Sequence, residues 1–154
     1  QDKKLYVVTY STGQFKAPIE FKPVNAIEYL NFGISELKNG STYLQTATGV
    51  VTSSDKGYVM IDSGSVTGIS TSIEITNPDE NGKIEITIYK NGEDTGLTNV
   101  IYTDEKGVQK DFDKQSSGIV TFEPGDVISV YLNVEGNVEY KDVINLVKVE
   151  LEDQ

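Results

Sequence analysis

The stretch SGIVTFEPGDVISVYLNVEGN, residues 117–137, holds two alternating runs on either side of a Pro-Gly-Asp corner. In the second run Ile128, Val130, Leu132 and Val134 fall on one face, and Ser129, Tyr131 and Asn133 on the other. Successive side chains of an extended chain point to opposite sides of a sheet, so this period of two marks a half-buried strand. The stretch is scaffold, strand then corner then strand, rather than the rim of a site.

The same device recurs through the C-terminal two thirds. TSIEITN (71–77) sets Ile73 and Ile75 against Ser72, Glu74 and Thr76. GKIEITIYKNGED (82–94) sets Ile84, Ile86 and Ile88 against Glu85, Thr87 and Tyr89. NPDENG (77–82), between them, reads as a hairpin turn, and Asn91-Gly92 as the stronger one, since both residue types tolerate a left-handed backbone. VINLVKVEL (143–151) places Val143, Val147, Val149 and Leu151 on one face. KLYVVTY (4–10), TYLQTATGVV (42–51), GYVMI (57–61), TNVIYT (98–103) and SGIVTF (117–122) are further candidates. Roughly eight to ten short strands between turn signals predict one mainly β domain over 1–154, an antiparallel β-sandwich. The alternating runs leave jelly-roll and immunoglobulin-like strand order open.

Two segments read differently. In PVNAIEYLNFGISELKNG (23–40) Asn25 and Glu28 match an N-terminal capping box, and Ile27, Leu30, Ile34 and Leu37 recur at helical spacing. This predicts one short helix near residues 26–38, with a pair of strands as the alternative. TDEKGVQKDFDKQSSG (103–118) is the most polar stretch and reads as an exposed, variable loop.

Composition excludes more than it assigns. The chain has no Cys and no His, and every basic residue is Lys. That removes thiol chemistry, the usual general base and the planar guanidinium fork, so no Ser-His-Asp or Cys-His mechanism can be written and no enzyme is expected. Paired carboxylates could in principle cleave a glycosidic bond, but Glu74 and Glu85 alternate on strand faces, and there is no Trp to shape a sugar subsite. A net charge of -11, with scattered lysines, disfavours nucleic acid and an anionic membrane surface. No run approaches the roughly 20 apolar residues of a membrane span. The start at Gln1 rather than Met fits a processed mature protein or an excised domain.

What remains are loops and tyrosines. Asp79, Glu80 and Asn81 in NPDENG group oxygen donors suited to calcium, without EF-hand spacing, and DEKGVQKDFD groups others. Turn formation explains the same residues without a metal. Tyr is the commonest aromatic, 9 against 5 Phe, and Tyr58, Tyr89 and Tyr131 lie at or within strands, where a patch could bind sugar or protein. Asn91, Glu93 and Lys106 are the further loop positions expected to contribute to binding.

IEITIYKNGED (84–94) followed by SGIVTFEPGDVISVYL (117–132) resembles the jelly roll of complement-type and tumour-necrosis-factor-like heads found in phage and bacterial proteins. Lys90, Asn91, Gly92, Gly125, Asp126, Val127, Val130 and Leu132 carry the resemblance. It implies a homotrimer serving as a capsid-decorating, fibre-head or adhesive module, at a virion or cell surface, among other virion or surface proteins. The chain departs from that pattern in closing on INLVKVELEDQ rather than an aromatic-glycine strand, and its first quarter has no counterpart. The cysteine-free, lysine-only β profile also resembles Gram-positive pilins and adhesins, which implies a Lys–Asn isopeptide bond and a mass lower by one ammonia. A carbohydrate-binding domain, calcium-assisted or not, is the remaining alternative.

Overall fold

The protein's structure, a computed structural model, describes residues 25–152. The strand expected at 4–10 lies outside these residues. Within them the chain forms twelve strands and no helix: β1 (Ala26–Ile34), β2 (Lys38–Asn39), β3 (Thr42–Tyr43), β4 (Gln45–Thr46), β5 (Tyr58–Val59), β6 (Gly64–Asn77), β7 (Lys83–Lys90), β8 (Glu93–Tyr102), β9 (Gly107–Lys114), β10 (Val120–Phe122), β11 (Val127–Glu135) and β12 (Glu139–Leu151). They make two antiparallel sheets. The seven-stranded sheet runs β10-β6-β12-β1-β4, with β9 also beside β6 and β2 also beside β12. The five-stranded sheet runs β3-β11-β7-β8, with β5 also beside β11.

The alternating runs supply the core between the sheets. Ile73 and Ile75 of β6, Ile84, Ile86 and Ile88 of β7, Ile128, Val130 and Leu132 of β11, and Val147 and Val149 of β12 are all fully buried. Each such side chain contributes about 1.5–3 kcal/mol over its exposed state. Tyr140 is buried with them and donates its hydroxyl to the Gly40 carbonyl, 2.8 Å away. Burial pushes its phenol up to about 12.

Four expectations are corrected. The predicted helix near 26–38 is strand β1, paired with β12 over nine consecutive residues from Ala26↔Leu151 to Ile34↔Val143. Leu30, Phe32 and Ile34 turn inward at period two, while Ile27, Tyr29 and Leu37 stay exposed. Pairing satisfies the backbone groups along one edge of β12, which a helix would leave open. Gly33 permits the close approach, since a Cβ there would collide with the Val143 carbonyl.

NPDENG is not a hairpin turn, because β6 and β7 belong to different sheets and the segment is an arch between them. The polar stretch 103–118 is not all loop: β9 occupies 107–114 and pairs with β6 from Gly68↔Lys114 to Ile75↔Gly107. The run 42–51 also divides, with β3 in one sheet, β4 in the other and Leu44 fully buried where the chain crosses.

Candidate functional site

The motif pieces behind the jelly-roll resemblance meet in space. The two-residue turn between β7 and β8 has Asn91 at φ 51° and Gly92 at φ 80°, the left-handed pair that suits the strand twist. Asn91 then reaches the corner before β11. Its Nδ2 donates to Asp126 Oδ1 at 2.9 Å, and its Oδ1 accepts from the Val127 N–H at 2.9 Å. Asp126 Oδ2 accepts from the Glu123 N–H at 2.8 Å. The Asn91 amide, followed by the Glu123 N–H, holds the Asp126 carboxyl below its ordinary range. Lys90 adds a bond from Nζ to the Thr121 carbonyl, 2.8 Å. Asn91 is therefore committed to holding a corner rather than presented to a ligand. Glu93 lies two residues on, beside a shallow cleft of about 230 Å³ that Lys90, Asp94 and Ile119 also line.

Asp79 is the matching staple at the other end of β7. Its Oδ1 accepts from the Asn81 N–H at 3.0 Å and its Oδ2 from the Asn137 N–H at 2.8 Å. These two donors, Asn137 first, lower its pKa. The arch is thereby tied to the turn between β11 and β12, where Gly136 leaves room that a Cβ would take from the carboxylate. Glu80 and Asn81 are exposed beside it. Among the described residues no three acidic groups gather as metal ligands would. Lys106 is exposed just beyond Thr103, which bonds to the Asp79 carbonyl at 2.8 Å. The loop positions thus divide between the two poles: Asp79, Glu80, Asn81 and Lys106 at one, Asn91 and Glu93 at the other.

The tyrosines regroup as well. Tyr89 and Tyr131 come together on the outer face of the five-stranded sheet, joined by Tyr43. Tyr58 is used elsewhere: its ring packs edge-on to Phe32 with centroids 5.2 Å apart, and its hydroxyl donates to the Asn31 carbonyl at 3.0 Å. Tyr43 escapes a sequence reading because β3 is two residues long, too short for a period to show. The signal that could have found it is its register opposite Tyr131.

The outer face of the seven-stranded sheet was not anticipated at all. Val108 and Phe112 of β9 are each 69% exposed and Ile144 of β12 64%, with Ile27 and Tyr29 of β1 on the same side. Between β9 and β12 this face carries Ser72, Ser70 and Gly68 of β6, opposite Ile144, Leu146 and Lys148 in register, with Glu74 of the same row opposite Val108. Small residues between larger ones leave a trough about 600 Å³ in volume beside Phe112, Ser70, Ser72 and Lys110. A smaller one lies between Phe112, Tyr29, Gly68 and Leu146. The inward side of β9 explains its orientation. Asp111 accepts from the Val100 N–H of edge strand β8 at 2.9 Å, and Asp113 from Asn99 Nδ2 at 3.3 Å. Asn99, fully buried, accepts in turn from Thr71, 2.9 Å. Asp111 and Asp113 clamp the two sheets together, which turns Val108 and Phe112 outward.

The buried polar side chains among the described residues are Thr, Ser and Asn, so no buried lysine stands ready for an isopeptide bond there. Nor does any helix among them have the length and apolarity to cross a membrane. No family model matches the chain, and no curated protein matches it.

Proposed function

We propose that this protein is a non-enzymatic structural or adhesive module of a virion or cell surface, a fibre-head or capsid-decoration domain that assembles as a homotrimer. The observation that carries the proposal is the apolar outer face of the seven-stranded sheet. An exposed cluster of Val108, Phe112, Ile144, Tyr29 and Ile27 is what an assembly face looks like before its partner covers it. The small residues of β6 give a facing copy a place to insert its larger side chains, and closed symmetry buries the face without leaving a free end.

Strand order supports the jelly-roll reading. With β9 and β10 counted as one strand and β3 standing for the second, the sheets run first-eighth-third-sixth and second-seventh-fourth-fifth. That is the order expected of two Greek keys wound into a sandwich. Asn91 and Asp126, named from the resemblance, bond directly across the corner it predicts. This proposal does not need calcium, and Asp79 has a structural role in it, accepting two backbone N–H groups.

Native mass measurement tests it. The expected result is three copies, reduced to a folded monomer by Phe112→Ser combined with Ile144→Ser. A wild-type chain that stays monomeric at all workable concentrations overturns the proposal.

A further inference from the structure

The five-stranded sheet carries on its outer face a feature of different chemistry. Tyr43, Tyr131 and Tyr89 come from three neighbouring strands, and their rings meet edge to face. The centroid distances are 4.8 Å between Tyr43 and Tyr131, 6.0 Å between Tyr89 and Tyr131, and 6.2 Å between Tyr43 and Tyr89. Rings braced this way have little freedom left to lose when a ligand lands on them. All three residues are half-buried, so part of each ring is open.

The hydroxyls matter as much as the rings. Tyr58 and Tyr140 spend theirs on backbone carbonyls, whereas those of Tyr43, Tyr89 and Tyr131 have no hydrogen-bond partner among the described residues. Further polar groups lie beside the ridge. Asn133 accepts from Ser41 Oγ through its Oδ1 at 3.3 Å, which leaves its Nδ2 free to donate. Asp94 sits opposite Tyr89 in register, and Thr87 and Thr98, linked at 2.8 Å, continue the row of Tyr131.

Charge narrows the class of ligand. Asp94, opposite Tyr89 in register, brings a carboxylate without a salt-bridge partner beside the rings, and farther along the face Lys83 is held between Glu85 at 3.8 Å and Glu135 at 3.4 Å. This face is negative, so uronic acids, sulfated sugars and phosphate are repelled.

We propose that the ridge of Tyr43, Tyr131 and Tyr89 is a glycan-binding face that takes a neutral chain of pyranose sugars. The C–H face of a pyranose ring packs on the exposed tyrosine rings. Its hydroxyls bond to the three phenols, the Asn133 amide and the Asp94 carboxylate. The inference rests on the adhesive reading above and gives it a ligand, on the sheet opposite the assembly face.

The test is calorimetric titration of the whole chain with neutral gluco-, manno-, galacto- and xylo-oligosaccharides, beside a polyuronate and an oligolysine. Saturable binding of at least one neutral oligosaccharide is expected. Tyr131→Ala and Tyr89→Ala should each weaken it about tenfold or more. Tyr131→Phe, which keeps the packing and removes one hydroxyl, guards against loss of fold and should weaken binding less. The proposal is overturned if no neutral oligosaccharide saturates, if only the polyuronate or the oligolysine binds, or if a folded Tyr131→Ala binds as tightly as wild type. Native mass reads assembly separately: a trimer that ignores glycans defeats this proposal alone, and a glycan-binding monomer defeats only the assembly.

Discussion

Strands β7 and β9 have the same length, eight residues, and opposite manners. In β7 the inward row is Ile84, Ile86 and Ile88, and the outward row is polar or aromatic. In β9 the inward row is Gln109, Asp111 and Asp113, and Val108 and Phe112 face out. Alternation alone says that a segment is extended. Which row is buried is decided by what the neighbours need, and β8, at the edge of its sheet, needed an acceptor for the Val100 N–H. Inward carboxylates give the open edge a partner and block it to outside strands. The outward apolar row that results is the one on which the proposed assembly rests.

The contrast can be broken from either side. Ile86→Ala in β7 removes a fully buried side chain and is expected to destabilise by about 2–5 kcal/mol, measured by chemical denaturation. Asp111→Ala in β9 is expected to lower stability by about 1–3 kcal/mol, because the Val100 N–H loses its acceptor in a part-buried place. Equal losses for Asp111→Ala and Val108→Ala would show that the inward clamp has no special role.

The acid limb of the stability profile sharpens the β7 side, since Asp79 and Asp126 staple the turns at its two ends. Both carboxyls have pKa values lowered in the folded state. Their contribution is therefore full above the unfolded value of about 3.9 and is lost as pH falls through the lower folded value. Thermal melting should be level from neutrality to about pH 5 and fall below about pH 4. The fall should be shallower in Asp126→Asn, and an unchanged acid limb in that variant would remove the corner from the account. The smallest effect belongs to the outward row of β9: Val108→Ser should change the stability of the separated chain by no more than about 0.5 kcal/mol. The same variant should still weaken assembly, as native mass would show.

Most of the sandwich was legible because β7 and β11 each bury a clean row of Ile, Val and Leu, and β6 and β12 bury rows of Ile and Val interrupted by Thr71 and Asn145. The two strands misread share a cause. In β1 the apolar residues occupy both faces, Leu30 and Phe32 inward and Ile27 and Tyr29 outward, and the mixture imitates a helical spacing. In β9 the inward row is polar, Gln109 and Asp111 half-buried and Asp113 exposed, and the whole segment looks like solvent-facing loop. The arch at NPDENG was mistaken for a hairpin because turn residues announce a change of direction without saying whether the next strand pairs with the last. Of the candidate site, Tyr89 and Tyr131 were visible as outward residues of good strands. Their convergence on Tyr43 depends on the register of β3 against β11, a pairing between residues nearly ninety positions apart. Asn91 and Asp126 were singled out as turn formers, and their bond to each other is likewise long-range.

The pairing of β1 with β12 has a mechanical side. Ala26 lies opposite Leu151, so the two strands leave the sandwich from the same end. A pull applied at those two residues would peel the pair apart one rung at a time, like a zipper, instead of shearing nine rungs together. A domain hung from one end of this ladder keeps it unloaded, whereas one threaded into a taut chain would open first at Ala26 and Leu151.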